Sequence, residues 1–403
     1  MKTKCTILLV LFTAVLLFNV SFAQYAVDKM ETATADGSAH RFAEIKMPST
    51  DKPKSPTALS GNYTIGGASP DYATFTLAVT DLVAQGVSGP VVFNVRPGTY
   101  NERFTIGPVS GVSATNTVTF QSESGTVTVS STGTSATNDA MILLSGCDYI
   151  IFDGINIVDA GTSTSDQVEY GYGISSNGGT DGANFNVIKN CNILLGGSGS
   201  APGFSHGVLI SSAATVASGA CSDNKLQNLT IDRSDRGIGS FAIAAYPDQN
   251  LEISNCILGS TIPLGNNLSA TSGSPIGIIV SANINAMVFG NTIAGLAATN
   301  TASTATLIGL SAQNSSGSYY NNVIHGLYHA NTTSTTATTR AVGFQAGSPA
   351  GEVVRFYNNF IYDIFRNYTG SAVATHFVLG IRSTNFTGGG GTCEYFYNTV
   401  YLS

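Results

Sequence analysis

The sequence predicts an all-β fold: a right-handed parallel β-helix (a solenoid) with an α-helix capping its N-terminal end. Three observations lead there. Two short motifs recur with a shared period of roughly 35 residues, the signature of stacked structural repeats. Charged residues make up 10% of the 403-residue chain, against roughly 25% in ordinary globular domains, and Gly, Ser, Thr and Asn take their place. Yet 43% of the residues are hydrophobic, enough to line a large interior with short strands separated by many turns.

Residues 1–23 read as a signal peptide. Lys2 and Lys4 precede an apolar stretch over residues 7–18, and Ser21-Phe22-Ala23 supplies small residues where a signal peptidase reads, so cleavage is expected before Gln24. The stretch is shorter than the roughly 20 residues a spanning helix needs, so no membrane span is expected and the protein is placed outside the cell or on its surface. Residues 24–60 lack an apolar period, contain Pro53 and Pro56, and read as a flexible leader. An N-terminal cap over residues 61–139 follows. A helix is predicted over 70–85, with Ser69 as N-cap, Pro70 in the first turn and Asp71 at the positive end of the dipole. Tyr72, Phe75, Val79, Leu82 and Val83 share one face, and Gly86 ends it. A strand over 91–95 and the corner Pro97-Gly98-Thr99-Tyr100-Asn101-Glu102 come next.

Residues 140–403 carry the coils. An apolar residue, any residue, then Asn recurs at Asn190, Asn228, Asn255, Asn291, Asn322, Asn359 and Asn398, with Gly154 in the same place one repeat earlier. A second marker precedes each: Gly173-Ile174, Gly207-Val208, Ala242-Ile243, Gly277-Ile278, Gly309-Leu310, Gly343-Phe344 and Gly380-Ile381. A strand of this kind cannot bury its apolar face alone; stacking in parallel at about 4.8 Å does so. The seven Asn residues are assigned as a structural ladder. Asn tolerates the left-handed turn, as Gly does, and stacked Asn side chains hydrogen-bond from coil to coil. The sequence stops at Ser403 with a coil in progress, so the last coil is expected to be truncated.

The Asn-marked turns and Gly-started strands resemble the right-handed β-helix of the pectin-lyase-like superfamily. The segment VVFNVRPGTYNERFTI at residues 91–106 looks like the start of the pectin methylesterases. The resemblance covers about residues 61–403 and implies the fold; no counterpart of the esterase catalytic set is found, so it implies no activity. The low-complexity style is similar to that of surface proteins exported by type IX secretion.

Net charge is −7 and no Lys/Arg cluster exists, which excludes nucleic acid as a partner. No CxxC or Cys/His spacing suggests a metal site, and no cofactor is expected. Cys191 and Cys256 each follow a marker Asn, two coils apart, too far for a disulfide, and read as buried thiols. The first position of the motif is always apolar and is assigned inward, so Phe289, Tyr320, Tyr357 and Phe396 are expected in the core. Strand alternation then turns Tyr319, Phe356 and Tyr395 outward, either as a flat platform for sugar rings or beneath a covering loop. A charge-bearing group, Glu169, His206, Asp235 and Arg236, falls at the start of three successive coils and is the candidate catalytic set. Its structural alternative is a solvated turn with local ion pairs. The sequence thus leaves two functions open. One is a noncatalytic secreted or surface protein for adhesion or polysaccharide binding, with a polysaccharide or cell-surface glycan as partner. The other is a polysaccharide lyase or glycoside hydrolase acting on an acidic glycan.

Overall fold

A computed structural model describes residues 57–402, apart from 135–138, 164–165, 197–204, 260–274, 299–305, 330–338, 367–375 and 385–389. The signal peptide expected at 1–23 and the leader as far as residue 56 lie outside the described residues. The remainder is a parallel β-helix. Among the described residues three long sheets run the length of the stack, and their strand order advances one repeat at a time. The first has eleven strands, from Leu59–Ile65 to Thr392–Phe396; the second has ten, from Gly98–Tyr100 to Thr399–Tyr401; the third has nine, from Phe104–Ile106 to His376–Ser383. Each coil contributes a third-sheet strand, turns a corner into the first sheet, makes a tight turn into the second, and returns. Among the described residues the strand pairings within these sheets are parallel, as one chain winding in one sense requires.

The first strand starts earlier than the sequence suggests. Leu59–Ile65 is already a strand, paired with Val87–Val95, because Leu59 and Ile65 are both buried. The helix, α1, starts later. It spans Phe75–Gln85, and Thr74 rather than Ser69 is its N-cap, accepting from the Leu77 N–H. Asp71 is used elsewhere: its carboxylate accepts from the Thr64 N–H at 2.9 Å and the Thr64 hydroxyl at 3.0 Å. The acid at the helix N-terminus is Glu102, which accepts from the Phe75 and Thr76 N–H groups, each at 2.9 Å. The corner after residue 97 therefore has a structural purpose, completed by the Tyr100 hydroxyl donating to the Arg96 carbonyl at 2.8 Å. Gly86 ends the helix at φ 66°. Phe75, Ala78, Val79 and Leu82 are its buried face, whereas Val83 is exposed.

The repeat markers are real, but their frame shifts by one residue along the chain. Ile253 pairs with Val288, then Tyr319, Phe356 and Tyr395. Left-handed backbone falls at Gly154, Asn190, Asn228, Asn255, Gly290, Asn321, Asn358 and Tyr397. Asn291, Asn322, Asn359 and Asn398 come one place later, in the column of Cys191 and Cys256. The seven Asn residues thus form two rows. Asn190, Asn228 and Asn255 sit at the outer turn, where Asn228 Nδ2 donates to Asn190 Oδ1 at 3.1 Å. The later four point inward. There Asn291, Asn322 and Asn359 each donate from Nδ2 to the next Oδ1 at 3.0 Å, and each also donates to a first-sheet carbonyl.

This shift reverses the expected facing of the aromatics. Tyr319 and Phe356 are fully buried, and Tyr395 packs against the same core. They continue an inward column that begins Phe93, Phe120, Phe152, whose rings stack at 4.7 and 5.1 Å. Phe289, Tyr320, Tyr357 and Phe396 point outward, stacked at 5.0 Å between successive rings. Turning Phe356 out would forfeit about 2–3 kcal/mol of apolar burial, so burial rather than the Asn spacing sets the register. The second marker shifts as well. The aligned glycines are Gly171, Gly207, Gly237, Gly277, Gly309, Gly343 and Gly380, so Gly173-Ile174 lies two residues and Ala242-Ile243 five residues out of frame.

Candidate functional site

The three coils that carry Glu169, His206, Asp235 and Arg236 bring these residues together at the start of the third sheet. Tyr170 pairs with His206, and His206 with Arg236, so these three form one row across adjacent strands. Glu169, Ser205 and Asp235 form the row just before it. The two rows behave differently. Glu169 and Asp235 are buried, and both carboxylates reach back along the stack to the preceding coil. Glu169 Oε2 accepts from the Asp139 N–H at 2.9 Å; Asp235 Oδ2 accepts from the Ser205 N–H at 3.0 Å and the Ser205 hydroxyl at 3.1 Å. Each takes the N–H of a residue whose carbonyl already accepts from the next coil, Asp139 O from the Tyr170 N–H and Ser205 O from the Arg236 N–H, each at 2.9 Å. Burial raises both above the ordinary carboxylate range, and the amide bonds oppose that shift.

Tyr170, His206 and Arg236 lie over the outer face of the sheet. The His206 ring occupies the space above Gly239, where an added Cβ would meet its Cδ2 at 2.6 Å. It stands edge-on between Tyr170, with ring centres 5.8 Å apart, and Phe241, at 6.0 Å. The Arg236 guanidinium lies 5.9 Å from the Phe241 ring centre. His206 is 5% exposed, while Tyr170, Arg236 and Phe241 are half-buried, so the last three present the surface and the imidazole supports it. Burial lowers Arg236 to about 10, opposed by Asp235, and it stays cationic at neutral pH. One coil toward the N-terminus, the same face opens into a cavity of about 370 Å³ lined by Arg103, Phe104, Thr105, Asp139, Ala140 and Leu143. Ala140 is the strand partner of Tyr170, so cavity and row adjoin, and Arg103 meets Asp139 there at 3.0 Å. In the other direction the face becomes apolar, through Ile276, Ile279, Ile308 and Val342.

Sequence reading found Glu169, His206, Asp235 and Arg236 by charge density in a poorly charged chain. It missed Tyr170 and Phe241, which sit beside or a few residues from that set, and it missed Arg103. Gly239, whose missing side chain makes room for His206, was the available signal. The proposed platform of Tyr319, Phe356 and Tyr395 is not a surface. The outward rings that replace it stack on one another within 2–7° of parallel, so they show edges rather than faces to solvent. Among the described residues no group of three or more His, Cys, Asp or Glu side chains is placed to hold a metal ion, and no helix is long and apolar enough to cross a membrane.

No protein-family model matches the sequence, and no curated protein matches it. Among solved structures the chain is similar to pectin methylesterase from Aspergillus niger, at 16% identity over 81% of this chain and 87% of the enzyme, with a TM-score of 0.36. It is similar to lacto-N-biosidase from Eubacterium ramulus at 11% identity over 85% and 68%, TM-score 0.44, and to pectate lyase Pel9A at 14% over 80% and 79%, TM-score 0.38. At this level of identity and superposition the likeness carries nothing about activity. The coil architecture itself is that of a parallel β-helix.

Proposed function

We propose that this chain is an exported, noncatalytic β-helix that binds an acidic polysaccharide along the outer face of its third sheet. The observation that supports this reading most is the division of labour at residues 169–241. The carboxylates Glu169 and Asp235 accept from backbone amides of the preceding coil, while two rings and a cation, Tyr170, Phe241 and Arg236, lie half-buried on the outer face. Rings suit the apolar faces of sugars, and a guanidinium suits a uronate or sulfate. A face running along the stack offers successive coils to successive sugar units. The alternative, a lyase or hydrolase, needs an acid and a base free to exchange protons with substrate. A glycan array run alongside a reducing-sugar and unsaturated-product assay tests both at once. Binding of acidic glycans without product is expected. Product formation that is lost in Glu169→Gln and Asp235→Asn overturns the noncatalytic reading, and no retention of any glycan overturns both.

A further inference from the structure

Away from that face, the outer face of the first sheet carries a charge pattern that the binding reading does not use. Strand pairing sets Lys225, Glu252, Met287, Ser318, Arg355 and Glu394 in one column across successive coils. Beside it runs the column of Gln227, Ser254, Phe289, Tyr320, Tyr357 and Phe396. Lys225 and Arg355 are exposed, and the two glutamates are half-buried. Lys225 meets Glu252 at 3.4 Å, and Arg355 meets Glu394 at 3.0 Å. Between these pairs the face turns apolar: Met287 is 39% exposed, and the outward rings from Phe289 to Phe396 stack beside it. An apolar centre with charges at both ends is the layout of a protein interface.

The order of the signs selects the partner. Read along the stack, the first column is plus, minus, two uncharged positions, plus, minus. Reversing that order puts every plus against a minus. We propose that the first-sheet face docks on the same face of a second copy of this chain, with the two stacks antiparallel. A two-fold axis running along the strands, midway between the coils of Met287 and Ser318, lays each column over its own reverse. Lys225 then meets the partner's Glu394, and Glu252 meets the partner's Arg355. Met287 falls on the partner's Ser318, Phe289 on the partner's Tyr320, and Phe396 at the rim on the partner's Gln227. A two-fold axis along the stack would instead set Lys225 on Lys225 and Glu252 on Glu252, and like charges exclude it. The third sheet takes no part, so in the dimer both candidate binding faces stay open.

The test measures mass against concentration by analytical ultracentrifugation. Wild type is expected to pass from monomer to dimer as concentration rises. Lys225→Glu opposes the partner's Glu394, and Glu394→Lys opposes the partner's Lys225, each twice per dimer. Each variant alone should associate about tenfold or more weakly. An equimolar mixture of the two should recover the dimer, because Glu at 225 then meets Lys at 394 and the native Lys225 meets the native Glu394. Loss of the ion pairs within one chain cannot produce that recovery. Should either variant fail to fold, Glu252→Lys mixed with Arg355→Glu makes the same comparison. A wild type that stays monomeric, a dimer indifferent to the swaps, or a loss that mixing does not restore each overturns the proposal.

Discussion

Asn321 and Asn322 are the same amino acid in neighbouring positions, and the fold uses them for different ends. Asn321 takes the left-handed turn at φ 54°. Asn322 points inward, where its Oδ1 accepts from the Asn291 backbone and side chain and its Nδ2 reaches Val288 O and Asn359 Oδ1. Asn321→Gly is therefore expected to be nearly neutral, and Asn321→Leu to cost about 1–2 kcal/mol. Asn322→Leu strands several buried partners and should cost more, about 2–4 kcal/mol. Thermal unfolding of the three variants checks that order; equal losses at 321 and 322 would refute the two-row assignment. The cysteines give a second prediction at this scale. Cys147, Cys191, Cys221 and Cys256 are buried free thiols, with Cys191 pushed up to about 11 and Cys256 to about 12 by burial, while Cys393 is half-buried. In the folded protein an alkylating agent should modify Cys393 and spare these four until denaturant is added, as peptide mass mapping will show.

At the scale of elements, the glycine column explains how each third-sheet strand begins. An added Cβ at Gly277 would lie 2.5 Å from the Gly309 carbonyl oxygen and 2.5 Å from Ile293 Cγ2. Neither the backbone nor a packed core side chain can give that much. Gly277→Ala should cost about 1–3 kcal/mol or more, whereas Gly107→Ala, with nothing within 4 Å, should lie within about 0.5 kcal/mol of wild type in the same denaturation assay. At α1, Glu102→Gln keeps the shape but removes the charge that faces the Phe75 and Thr76 amides. A loss of about 0.5–1 kcal/mol that shrinks in high salt is expected, and a loss indifferent to salt would contradict the dipole account.

For the whole molecule, the period was legible because it is written in composition: short apolar runs, Gly at strand starts, Asn or Gly at turns. The frame was less legible. Asn serves both the left-handed turn and the inward ladder, so aligning Asn255 with Asn291 was chemically reasonable and one residue wrong. Aligning Gly154 with Gly290 gives the correct register and places Tyr319 and Phe356 inside. The candidate face was legible as charge at residues 169–236. Which of those charges faces outward depends on hydrogen bonds to the coil before, which no local pattern encodes. Glu169 and Asp235 bond back to the preceding coil, and under the proposed function Tyr170, Arg236 and Phe241, half-buried on the outer face, meet the ligand. Affinity electrophoresis through gels containing acidic polysaccharides tests that claim most directly. Wild type and a Phe396→Ala control should be retarded alike. Arg236→Gln and Phe241→Ala should lose retardation, with about a tenfold or greater weakening that salt reproduces in wild type. Full retention by the Arg236 and Phe241 variants, or selective loss in Phe396→Ala, would contradict the account.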